Sequence, residues 1–171
     1  QVRTPNFKAW FGDWESDPEN ASKVVDSATG EPLVVYHGGT VGNVFSTDYA
    51  GSGGGRERAF FFTPDIRQAK DYAGTGSIKE VFLDLKSPVE TDVQLEPDEV
   101  AQAKDDGNDG YWVIEDGLVE ESEIAVFSPT QIKSATGNSG QFDPANPDIR
   151  YSRSAKPVTN QTAVKLRRAM V

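Results

Sequence analysis

Pro32-Leu33-Val34-Val35-Tyr36-His37-Gly38-Gly39-Thr40 is an apolar run that closes on the chain's only histidine and then on two glycines. A run of this kind bounded by glycine reads as a buried strand over 32–36 ending in a tight turn, which carries the imidazole to the edge of a sheet. A lone histidine is more often a structural hydrogen-bonding residue than a ligand-binding one. Its meaning therefore depends on what the rest of the fold brings beside it.

Upstream, Thr4-Pro5 opens a short helix whose Phe7, Trp10, Phe11 and Trp14 fall at helical spacing. Four rings on one face are expected to pack on the core rather than to dock a partner. Asp26-Ser27-Ala28-Thr29-Gly30 then turns the chain into the histidine strand. Downstream, Gly51-Ser52-Gly53-Gly54-Gly55 is too rich in glycine for regular structure and reads as a mobile loop. No Lys-Ser or Lys-Thr follows it, so it is not a nucleotide phosphate loop. Arg56 and Arg58 are the cations nearest to it, placed to reach a diphosphate if the loop folds over a ligand.

Ala59-Phe60-Phe61-Phe62 reads as a second buried strand, and Thr63-Pro64 as the capped start of a helix reaching about Ala73. On that helix Ile66, Ala69 and Tyr72 or Ala73 share the face turned to the sheet. Val81 to Leu85 form a strand ended by Ser87-Pro88, and 95–106 a weak helix with Val100 and Ala103 inward. The acidic run 105–110 lacks the alternating ligands of a calcium loop and reads as a solvated turn. Tyr111 to Ile114 and Glu123 to Phe127 are the last two strands. From Ala135 to Pro147 the chain reads as loop, and 152–171 as a basic flexible tail on a domain of residues 1–151.

The 171 residues carry a net charge of −10, but the tail holds Arg153, Lys156, Lys165, Arg167 and Arg168 and no acid. Removing those five cations leaves −15 on the first 150 residues. A body so acidic repels phosphate backbones at long range, which argues against a nucleic-acid partner. There is no cysteine and a single histidine, which argues against a disulfide framework and a metal site. No apolar stretch approaches the roughly 18 residues needed to cross a bilayer, so a soluble protein without a membrane partner is expected, acting in the cytoplasm of a host or target cell. The chain begins with Gln and has only Met170, as expected of a piece of a longer polypeptide.

His37 after a strand, an aromatic strand leading to a helix with Tyr72, and Glu123 at the head of a later strand together resemble the ADP-ribosyltransferase family. The branch is the His-Tyr-Glu one that includes diphtheria-type toxins and poly(ADP-ribose) polymerases. The family's first motif is a strand ending in His-Gly-Ser/Thr; here it is Tyr36-His37-Gly38-Gly39-Thr40, with the hydroxyl one residue later. Its second has a tyrosine where Phe61 stands and a serine where Ala69 stands, and Tyr72 keeps its place. Its third is similar to Glu123-Ile124-Ala125-Val126-Phe127 running on to Gln131. The flanks, Thr4 to Gly12 and Gly140-Gln141-Phe142-Asp143-Pro144 on to Tyr151, resemble those of such domains embedded in phage and mobile-element polyproteins.

The resemblance implies an α+β fold, a split β-sandwich of mainly antiparallel strands with short flanking helices, binding NAD as substrate between its sheets, with no metal. Within it His37 holds one ribose, the Gly38 backbone the nicotinamide amide, Thr40 a further ligand contact, and Phe61 and Tyr72 the two faces of the nicotinamide ring. Glu123 is the catalytic carboxylate. Glu121-Ser122-Glu123 also resembles the Glu-x-Glu pair of the arginine-modifying branch, where the first acid serves the acceptor; that branch, however, opens on arginine and has a Ser-Thr-Ser strand that is absent here. The expected activity is mono-ADP-ribosyl transfer to a protein acceptor, as in a toxin or effector. The alternatives are NAD hydrolysis and a non-catalytic NAD-binding interaction domain.

Overall fold

The computed structural model describes residues 1–46, 59–114 and 122–150. The fold is α+β. In chain order it runs α1 (Pro5–Phe11), β1 (Val35–Gly39), β2 (Phe60–Phe62), α2 (Ile66–Ala73), β3 (Ser77–Leu83), β4 (Pro88–Thr91), α3 (Pro97–Asp105), β5 (Gly110–Val113), β6 (Glu123–Val126) and β7 (Ile132–Ser134). One sheet has the order β1-β3-β7 and the other β2-β6-β5-β4. Every pairing is antiparallel except β4 with β5. Both sheets supply one apolar core: Val35, Val81, Leu83 and Ile132 from the first meet Phe60, Phe62, Trp112, Ile124 and Val126 from the second.

The helices follow from their termini. Thr4 caps α1 by accepting from the Phe7 N–H at 3.3 Å, with Pro5 at the first helical position, where a missing N–H costs nothing. Its rings pack inward as expected: Phe7 lies 4.9 Å from Phe142 and 5.2 Å from Phe82, both edge-on. Helix α3 carries a capping box between Glu96 and Glu99, and Val100 and Ala103 are its buried positions.

Several expectations need correction. Strand β1 is shifted toward the glycines, so His37 lies inside the ladder, opposite Lys79, rather than beyond its end. The cause is β3, which starts at Ser77 and offers partners to Gly38 and Gly39. Helix α2 is capped by Asp65, whose carboxylate accepts from the Arg67 N–H at 2.8 Å. Thr63 does not cap it, because its backbone is committed to a bridge with Tyr36. Strand β4 was read as a stop at Pro88, yet an edge strand paired on one side tolerates a proline at its first residue. Strand β7 was not anticipated. Its Lys133 is fully buried, and the ammonium donates to the Asn146 carbonyl at 2.5 Å, which ties down the loop after Ala135. The tail 152–171 and the glycine loop 51–55 lie outside the described residues.

The acidic turn does more than meet solvent. Both oxygens of Asp109 accept backbone N–H groups, from Lys86 at 2.7 Å and Ser87 at 2.8 Å, and fix the β3–β4 connection. Beside it, burial pushes the Asp84 carboxyl up to about 6; Lys86 opposes the shift and Asp109 adds to it. A carboxyl raised from 3.8 stabilises the fold fully below that pH, and the contribution is lost as pH rises through about 6. The gap corresponds to about 3 kcal/mol. Asp84→Asn should lack this dependence: in urea titrations its stability relative to wild type should rise by about that amount between pH 4 and pH 8.

Candidate active site

The two sheets meet at one backbone bridge. The Tyr36 N–H donates to the Thr63 carbonyl at 2.8 Å, and the Thr63 N–H returns to the Tyr36 carbonyl at 3.0 Å. Since Tyr36 precedes His37 and Thr63 follows Phe62, this pair sets the imidazole against the end of β2. There His37 Nδ1 lies 2.7 Å from the Phe61 carbonyl oxygen. A carbonyl only accepts, so Nδ1 carries the proton and donates. Burial holds the imidazole below its usual value, against the opposing effect of that bond. At neutral pH the ring is therefore uncharged, with its lone pair on Nε2. The rings of Phe45 at 5.0 Å and Phe62 at 5.5 Å fix its plane.

Next to β2 runs β6, with Phe62 opposite Ile124. Glu123 is thus one step beyond the end of β2, level with Thr63. Its carboxylate is half-buried, and Oε2 accepts from the side-chain amide of Gln94, 29 residues away on the β4–α3 connection. One oxygen is held by the protein, and Oε1 has no hydrogen-bond partner among the described residues.

Helix α2 closes the third side. A Cβ on Gly38 would stand 1.8 Å from the Ala69 carbonyl oxygen, so the helix backbone lies directly on the strand. Glycine is required there for close approach, whatever its backbone also does for a ligand. The result is a cavity of about 210 Å³ lined by Tyr36, His37, Gly38, Phe61, Phe62, Thr63, Gln68, Ala69, Tyr72 and Glu123.

Five of the expected site residues thus converge: His37, Gly38, Phe61, Tyr72 and Glu123. Tyr72 does not turn to the sheet with Ala69; it is 72% exposed and stands at the cavity's rim. Thr40 is exposed beyond β1 and does not line the cavity. Glu121, Arg56 and Arg58 lie outside the described residues. Gln68, Gln94 and Thr63 were not anticipated. Nothing in the chain around Gln94 marks it, since its role arises from a contact between distant segments. Gln68 had a signal in its place one residue before Ala69, where the resemblance lacks its serine.

The two sheets of this α+β fold thus bring an imidazole, two aromatic residues and a carboxylate to one cleft. Residues 27–108 match the family described as ADP-ribosyltransferase in polyvalent proteins, which supports an ADP-ribosyltransferase of that kind. No curated protein matches the sequence. The matched stretch contains His37, Gly38, Phe61 and Tyr72; Glu123 lies beyond it and joins the site through the β2–β6 register.

Gly38→Ala tests the construction. With backbone oxygen as the obstacle, α2 must move off β1, and the variant should lose roughly 3 kcal/mol in urea unfolding. Any variant that stays folded should have a wider cleft.

Proposed function

We propose that the chain is a mono-ADP-ribosyltransferase that takes NAD as substrate, cleaves its nicotinamide–ribose bond and passes ADP-ribose to a protein acceptor. The observation that carries this reading is the convergence of His37, Phe61, Tyr72 and Glu123 on one cleft. The cavity is smaller than the roughly 300–1,000 Å³ typical of a site that encloses a whole ligand. That size suits the reacting end, a nicotinamide ring and its ribose, with the rest of the dinucleotide extending through the open mouth.

Cleavage of this bond passes through an oxocarbenium-like state with positive charge on the ribose, as in glycoside hydrolysis. Glu123 is placed to answer that charge. With Oε2 held by Gln94, Oε1 accepts from the ribose 2′-hydroxyl, and the carboxylate stabilises the charge more strongly as it develops. His37 contributes the acceptor Nε2 for a hydroxyl of the other ribose. Phe61 and Tyr72 offer π faces, for which a phenylalanine serves as well as a tyrosine. A leaving group held flat between rings departs without needing a protonated side chain, since the nicotinamide nitrogen gains the bonding electrons and becomes neutral. The acidic body favours a protein acceptor over a phosphate backbone.

Incubated with labelled NAD and host lysate, the protein should release nicotinamide and label a protein band. Glu123→Gln should reduce that release by roughly 10²–10³-fold and leave NAD affinity close to wild type. If Glu123→Gln turns over as fast as wild type, the assignment is wrong; if release needs no acceptor, water takes its place and the enzyme is a glycohydrolase.

Gln94 acts through Glu123 and should behave as a positioning residue. Gln94→Ala should lower kcat roughly tenfold with KM little changed, and Gln94→Asn should recover part of the loss.

A further inference from the structure

Gln68 stands on the first turn and a half of α2 and lines the cavity beside Ala69 and Tyr72. Its Oε1 is buried and has no hydrogen-bond partner among the described residues. A buried amide oxygen without a donor destabilises a folded protein, and such an atom is kept where it meets a need outside the free chain. The cavity says what the missing donor is attached to. Phe61 and Tyr72 suit a flat ring, and Ala69 between Gln68 and the strand has no polar side-chain atom. On the Gly38 side the space is filled by the helix backbone itself. Gln68 is therefore the buried side-chain acceptor that α2 presents to the cavity, Tyr72 standing exposed at its rim.

We propose that Gln68 reads the carboxamide of the bound nicotinamide, its Oε1 accepting from the carboxamide N–H, and so selects NAD against dinucleotides whose ring lacks that donor. The proposal rests on the NAD-cleaving reading above and adds a specificity determinant to it. It also accounts for the alanine at 69: with the amide one residue earlier in the helix, a serine hydroxyl at 69 is not needed.

The test is a cycle of two proteins and two substrates, NAD and its acetylpyridine analogue, in which a methyl ketone replaces the carboxamide. Wild type should bind NAD roughly tenfold more tightly than the analogue, the worth of one buried hydrogen bond. Gln68→Met should bind both with similar, weaker affinity. The isosteric Gln68→Glu, which keeps an acceptor, should retain a preference for NAD. A readout free of turnover accompanies these: without ligand, Gln68→Met should melt about 2–4 °C above wild type, because the unpaired oxygen is gone. If Gln68→Met discriminates between the two dinucleotides as wild type does, the proposal is overturned while NAD cleavage stands. If wild type neither binds nor cleaves NAD, the functional reading fails first and this inference falls with it.

Discussion

The reciprocal bridge between Tyr36 and Thr63 is the constraint on which the site depends. It joins β1 of one sheet to β2 of the other and, with the His37 bond to the Phe61 carbonyl, sets where the imidazole stands relative to Glu123. With it, the chain positions on either side are determined by strand geometry alone. His37 follows Tyr36 and reaches the Phe61 carbonyl; Thr63 sits level with Glu123 through the β2–β6 register. Two hydrogen bonds of 2.8 and 3.0 Å thus convert separate sheets into one cleft. They are backbone bonds, so the side chains of Tyr36 and Thr63 remain available to line it.

Closure of that cleft is a matter of atomic volume. Helix α2 can cross β1 only because Gly38 has no side chain, and Gly76 is pressed in the same way, a Cβ there standing 2.5 Å from the Gly39 carbonyl oxygen. Gly38 and Gly76 therefore have a packing reason that is independent of any ligand. They bring the helix carrying Gln68, Ala69 and Tyr72 close enough for a small cavity rather than an open trough. The aromatic cluster on α1 works at a distance from this site. By joining Phe7 and Trp10 to Phe142, it ties the N-terminal helix to the segment that follows β7.

Much of this was legible in the sequence where a local rule applies. Thr4-Pro5, the inward positions Val100 and Ala103, and the phenylalanine strand follow from capping, helical spacing and apolar runs. That His37, Phe61, Tyr72 and Glu123 meet at one cavity was legible from the order of the family pattern they resemble. What was not legible depends on pairing partners. Strand β1 slides onto its glycines because β3 starts early, and glycine signals a break only when no neighbouring strand claims it. Pro88 looks like a terminator until it is seen on an edge strand. Tyr72 shares a helical face with Ala69 within the tolerance of a spacing rule, but an eight-residue helix lying flat on a strand buries a narrow stripe, and the tyrosine falls just outside it. Gln94 could not be found at all, since the only fact about it is the carboxylate 29 residues further on.

Two polar groups of the cleft share one arrangement, in which the protein engages one atom of a bifunctional side chain and the other has no partner among the described residues. His37 spends Nδ1–H on the Phe61 carbonyl, which fixes the tautomer and makes Nε2 an acceptor. Glu123 spends Oε2 on the Gln94 amide, which restricts the carboxylate's rotation and aims Oε1. Gln68 Oε1 has no hydrogen-bond partner among the described residues. Three acceptors pointed into a small apolar-walled space repel one another's partners little while two of them are uncharged, and burial keeps the imidazole in its neutral form. Were His37 to protonate, Nε2 would become a donor and the cleft would lose that acceptor. A group whose value is lowered by burial in the fold gives stability that is present above its unfolded value of 6.5 and lost as pH falls. Acid would therefore remove from the same ring both its packing advantage and its capacity to accept a hydroxyl. Burial in the cleft is the reason the imidazole stays uncharged at neutral pH.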